Sequence, residues 1–185
     1  MPHSTFQNSG RTATRADIRK PVVLVGLMGA GKSTVGRRLA DRLRLPFADS
    51  DDEIESAAGM TVAELFEDYG ETHFREGERR LIARLLDGDT KVIATGGGAF
   101  VDPETHQLIL QNATAVWLDA DIEILAERVA RRDTRPLLRD SDPRLVLAEL
   151  AAKRNPLYAE APIHVQSGAG THEETVNRIL KALAR

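Results

Sequence analysis

The chain contains no cysteine. That absence excludes disulfides, thiol catalysis and cysteine-ligated zinc, and it suits a reducing compartment such as the cytoplasm. No apolar stretch approaches the roughly 18 residues that a membrane span requires, so no membrane association is expected. Nor is there an excess of positive charge: 25 Lys and Arg stand against 28 Asp and Glu, for a formal net charge of −3. A nucleic-acid binder that works through overall charge is disfavoured on that ground, and no segment reads as a helix-turn-helix. The five histidines, His3, His73, His106, His164 and His172, show no metal-ligand spacing. Internal repeats, low-complexity blocks and a linker to a second domain are missing too. The expectation is one ordinary domain of 185 residues, large enough to bury a core. With no long apolar seam, it is expected to be a monomer.

Residues 1–20, MPHSTFQNSGRTATRADIRK, have no apolar core and are not a secretory signal. They are rich in Ser, Thr and Arg and carry a single acid, Asp17, which leaves an organellar transit peptide open. The reading preferred is a flexible tail, with the folded domain at 21–185.

What is present begins with a pattern of alternating elements. VVLVG at 22–26 is a short β-branched run ended by glycine, the signature of a buried strand. Further strands are expected at 46–50, 92–95, 115–119 and 163–167. Helices are expected at 32–44, 51–58, 72–87, 103–111, 121–132, about 143–154 and 172–184. Thr61 followed by Glu64 is a capping box that opens one more helix, closed by Gly70. Strand and helix in alternation predict a parallel sheet with helices on both faces.

Between the first strand and the first helix stands GLMGAGKST, which satisfies G-x-x-x-x-G-K-[ST] with Gly26, Gly31, Lys32 and Ser33. Glycines let backbone N–H groups converge on an anion, and the helix N-terminus adds partial positive charge. Lys32 is expected to reach the β- and γ-phosphates of a nucleotide and Ser33 to ligate Mg²⁺. A Ras-type GTPase is excluded by the lack of an Asn-Lys-x-Asp element, and the chain has the length of a small-molecule kinase.

Asp49 and Asp51 follow the second strand. In an open α/β sheet, ligands sit beyond the carboxyl ends of the strands. One of these carboxylates can serve Mg²⁺ and the other the attacking hydroxyl; for Asp52 a helix-capping role is preferred. Arg75 either pairs with Glu78 on a helix surface or grips an anionic substrate. Gly96, Gly97 and Gly98 end the third strand with a bare backbone that lets a ligand lie close. The span from Arg128 to Arg154 holds eight Lys/Arg against four Asp/Glu. Within it Arg135-Pro136-Leu137-Leu138 reads as a basic flap over the nucleotide. Trp117 is expected in the core, and Phe66 and Phe74 either wall a ring or belong to the core.

GLMGAGKST, Asp-x-Asp, FRxxE at 74–78, GGG at 96–98, RPLL at 135–138 and KRNPLY at 153–158 follow one another as in shikimate kinases. From about residue 21 to the last helix, the chain resembles that family. The resemblance implies a three-layer α/β/α fold with a five-stranded parallel sheet. It also implies a substrate-binding helical region at about 51–80 and a lid at about 131–144. The implied reaction is ATP-dependent phosphorylation of the 3-hydroxyl of shikimate. Gly29, Ala30, Gly31, Lys32, Ser33 and Thr34 would hold ATP, with Asp49 beside Ser33 at Mg²⁺. Asp51 would orient the nucleophile, Arg75 and Arg154 would clamp the carboxylate, and Gly96 to Gly98 would line the ring, Gly97 offering its N–H. Arg135 would be the lid arginine and Arg128 the adenine-stacking one. A proline that touches adenine in some members has no counterpart in QSGAGTHEE. Rival readings are a gluconate kinase and a nucleotide-binding module without chemistry.

Overall fold

The computed structural model describes residues 11–131, 142–168 and 170–185. Five strands form one parallel sheet: β1 (Val22–Val25), β2 (Phe47–Asp49), β3 (Val92–Ala94), β4 (Thr114–Asp119) and β5 (Ile163–Gln166), in the order β2-β3-β1-β4-β5. All four residues of β1 are fully buried, as a central strand covered on both faces must be. Seven α-helices flank the sheet among the described residues: α1 (Lys32–Leu43), α2 (Ser50–Ala58), α3 (Val62–Leu86), α4 (Pro103–Asn112), α5 (Ile122–Ala130), α6 (Pro143–Tyr158) and α7 (His172–Leu183). The expected α/β class with a five-stranded parallel sheet is therefore what the chain adopts. No described helix is long and apolar enough to cross a membrane.

Register sets the height of each loop. Asp49 pairs with Ala94, and Ala94 with Leu24. Gly26, Asp49 and Gly96 thus leave the sheet at one rim, within two residues of the same rung. Thr95 reinforces the junction, its N–H and Oγ1 both donating to the Leu24 carbonyl at 3.2 and 3.0 Å.

Two local expectations change. The helices expected on either side of Gly70 run as one element, α3, with a kink where Gly70 takes φ +81°. The Thr61–Glu64 box opens it as expected. Residues 11–20, placed in the flexible tail on composition, are packed. Ala13 N–H donates to the Leu180 carbonyl of α7 at 2.8 Å, Asp17 closes a short turn onto Thr14, and Ala13 and Ile18 are buried. Two buried apolar side chains in a mostly polar stretch of ten residues left no periodic signal, yet they hold the segment against the core.

Ile18→Ala should lower the stability of the fold by about 2 kcal/mol, the low end for removing a buried aliphatic side chain. Urea unfolding checks it; an unchanged midpoint would mean that Ile18 adds nothing to the packing.

Candidate active site

The glycine loop joins β1 to α1. Gly31 caps α1 in the left-handed region at φ +89°, a conformation that a side chain would strain. Lys32, the first helical residue, turns its ammonium back over the loop and donates to the carbonyls of Gly26 and Leu27, both at 2.8 Å. Ala30 is buried, and Thr34 lies half-buried in the first turn of α1.

Asp49 ends β2 and does two things at once. Its Oδ2 accepts from Ser33 Oγ at 2.5 Å, and its Oδ1 accepts from the N–H groups of Asp51 and Asp52 at 3.0 and 3.4 Å. The N-cap of α2 is therefore Asp49, not Asp52. Asp52 is exposed and pairs with Arg37 at 3.2 Å; its backbone, rather than its side chain, serves the cap. Burial and the neighbouring Asp49 charge raise the Asp52 carboxyl above its ordinary value. A hydroxyl and a carboxylate oxygen side by side form a hard-oxygen pair that suits Mg²⁺.

The turn after β3 is crowded by side chains. A Cβ on Gly96 would lie 2.7 Å from Asp51 Oδ1 and 3.3 Å from Glu78 Oε1. One on Gly97 would lie 3.4 Å from Arg154 Nη1, and one on Gly98 would fall onto the Arg75 guanidinium. The room that the three glycines leave is thus taken by Asp51, Arg75, Glu78 and Arg154, the site's own polar groups. Beside them opens a cavity of about 490 Å³, lined by Arg75, Arg79 and Arg154 together with Gly98, Asp102 and Glu104. Arg79 is committed to Asp102 at 3.4 Å and Glu104 at 2.5 Å.

Arg75 and Glu78 are indeed paired, at 2.5 Å, but the pair is no surface feature: Glu78 is 1% exposed and Arg75 is 17% exposed. The half-buried Phe66 and the buried Phe74, their ring centroids 4.4 Å apart, back the guanidinium, whose carbon lies 5.6 and 5.2 Å from the two rings. Glu78 Oε1 has no hydrogen-bond partner among the described residues. Burial pushes the Glu78 carboxyl up to about 7 against the pull of Arg75, and Asp51 and Asp102 push the same way.

Arg128 lies at the other end of the glycine loop. Its guanidinium donates to the carbonyls of Gly29 at 3.1 Å and Gly168 at 3.0 Å, and Ser167 Oγ donates to the Ala30 carbonyl at 2.7 Å. His172 stands against Gly31, where a Cβ would be 3.6 Å from the ring. Burial lowers the His172 imidazole below its ordinary value, and Arg128 and Arg38 add to the effect. Ser167 and His172 belong to no motif, and Tyr158, though it ends KRNPLY, had no role of its own in the sequence reading. The gap left by the missing proline was the one signal that pointed toward His172. Arg135, and the lid with it, lies outside the described residues. Trp117 is buried in β4, as expected.

The sequence model described as "Shikimate kinase" matches residues 28–184. A shikimate kinase of Novosphingobium aromaticivorans is 55% identical over 170 residues, 90% of this chain and 88% of that one. Among solved structures, the shikimate kinase from Acinetobacter baumannii in complex with shikimate superposes with a TM-score of 0.85 at 37% identity, covering 89% of this chain and 93% of that one. A gluconokinase from Sinorhizobium meliloti reaches a TM-score of 0.62 at 21% identity, covering 90% and 92%, which shows a shared fold alone.

Below pH 4.5 Glu78 is protonated in both folded and unfolded chains, and its burial costs nothing in charge. As pH rises toward 7 only the unfolded chain ionises it, so stability falls, by about 3 kcal/mol for a shift from 4.5 to about 7. Glu78→Gln should lack that decline when urea unfolding is followed from pH 4.5 to 7.5. Equal slopes in the two proteins would place the titration on another group.

Proposed function

The chain belongs to the shikimate kinase family, and we propose that it phosphorylates the 3-hydroxyl of shikimate with ATP, giving shikimate 3-phosphate and ADP. The observation that carries this reading is the convergence of Asp51, Arg75 and Arg154 on the Gly96–Gly98 turn, at the same rim as the glycine loop. A cyclic acid with one carboxylate and several hydroxyls finds both kinds of partner there. Two guanidiniums grip a carboxylate with directed hydrogen bonds, which one ammonium does not match.

In this reading, loop N–H groups from Gly29 to Ser33 and the first turn at Thr34 hold the phosphates. Lys32 leaves the carbonyls of Gly26 and Leu27 for the β- and γ-oxygens. Ser33 and Asp49 would hold Mg²⁺, which neutralises phosphate charge when bound. Asp51 accepts the hydroxyl proton as the oxygen attacks phosphorus. Arg75 and Arg154 fix the carboxylate, so the ring presents one hydroxyl rather than three. Arg128, already tied to both Gly29 and Gly168, offers its face to the adenine. Arg135, outside the described residues, would be the lid arginine, as the resemblance implies.

Coupled ADP release over a panel of hydroxy-acids tests the reading. Turnover is expected with shikimate and not with gluconate; nucleotide binding with no acceptor-dependent ADP release would make the chain a binding module. Lys32→Ala should lower kcat by about 10²-fold or more. Asp51→Asn should lower kcat by about 10²–10⁴-fold, the range for a lost general base, with ATP affinity nearly intact. Arg154→Ala should raise KM for the acid at least tenfold, and an unchanged KM would put the clamp elsewhere.

A further inference from the structure

His106 lies on α4, remote from the phosphates, and is 5% exposed. Its Nδ1 is 2.9 Å from the Phe100 carbonyl and its Nε2 is 3.0 Å from Glu160 Oε2. The ring also stacks on Phe100, with centroids 4.2 Å apart. Both ring nitrogens therefore face oxygen acceptors. A neutral imidazole has one N–H to give, whereas the imidazolium has two and satisfies both contacts.

What these contacts hold matters to the acid half of the site. Phe100 is two residues beyond Gly98, in the turn that meets Arg75 and Arg154. Glu160 is two residues beyond Tyr158, the last residue of α6, the helix that carries Arg154 one turn earlier. Tyr158 is 1% exposed and donates its hydroxyl to the Gly97 carbonyl at 2.5 Å. The glycine turn and the end of α6 are thus joined at two points, one through Tyr158 and the other through His106. We propose that His106, bridging Phe100 and Glu160, is a positioning residue that sets the distance between the glycine turn and Arg154, and with it the affinity for the acid substrate.

The charged groups on the surrounding elements leave the bridge intact. Glu160 is the acid from the α6 exit. Arg79 of α3 is engaged by Asp102 and Glu104 at the start of α4. The turn at 96–101 has no ionisable side chain, and Asp119 at the end of β4 pairs with His164.

The inference rests on the kinase reading for its kinetic arm and is independent of it in a second arm. Steady-state kinetics should show His106→Leu and Glu160→Ala each raising KM for shikimate several-fold while KM for ATP and kcat stay within about twofold. The double variant should do no more than either single one, because both remove the same bridge. The second arm needs no substrate: hydrogen exchange in 96–102, corrected for intrinsic rates, should quicken in both single variants. Glu160 is half-exposed, so Glu160→Ala keeps the test open if His106→Leu does not fold. A common shift of both KM values, additive effects in the double variant, or unchanged exchange in Glu160→Ala would each overturn the proposal. If wild type shows no turnover with shikimate, the exchange arm alone decides.

Discussion

β1 pairs in parallel with β3 on one edge and β4 on the other, and β3 in turn pairs with β2. Parallel pairing makes every strand end at the same face, and every following loop must start there. The phosphate loop, the Asp49 cap and the glycine turn are widely separated in the chain. They become neighbours because Leu24, Asp49 and Ala94 share a rung. Remove that register and each motif survives as local structure, but the nucleotide half and the acid half no longer meet.

Burial then decides how the acid half behaves. Arg75 is held by Glu78 below and by two phenyl rings alongside, so little conformational freedom would remain to be lost on binding the carboxylate proposed for it. The cost appears in Glu78, a buried carboxyl with one oxygen unpaired and its ionisation pushed up to about 7. Such a pair is a poor source of stability, because desolvation offsets most of the Coulomb attraction. What the pair does is hold the guanidinium in one orientation beside the glycine turn.

The α/β class, the strand count and the phosphate loop were legible because each follows from periodicity or from a spacing with a mechanism. The Thr61–Glu64 box was legible for the same reason. Asp49 and Asp51 could be placed at the rim, yet which acid capped α2 could not be read, since three acids in four residues all fit a cap. Glu78 looked like the surface end of an i,i+3 pair: the spacing is the same whether or not the helix face is covered, and α2, α4 and the glycine turn cover it. The ten residues 11–20 were misread because two buried side chains make no pattern. His106 and Tyr158 were illegible in principle. Tyr158 bonds a backbone carbonyl, and His106 bonds one together with a distant carboxylate; a carbonyl has no identity in a sequence, and a separation of 54 residues leaves no spacing to read.

A Cβ on Gly97 would lie 3.7 Å from the Gly26 carbonyl oxygen and 3.7 Å from the Met28 nitrogen, as well as 3.4 Å from Arg154. The same residue thus borders the glycine loop on one side and the Arg154 guanidinium on the other, so the two halves of the proposed site are separated by little more than van der Waals contact. In-line transfer needs the reacting oxygen and phosphorus about 3–3.5 Å apart, and a displacement of one ångström between the loops would forfeit much of that alignment. The hydrogen bond from Tyr158 to the Gly97 carbonyl fixes that turn to α6, and the Thr95 bonds to Leu24 fix it to the sheet. In the proposed reaction the spacing between donor and acceptor would therefore be set by the sheet and the last turn of one helix.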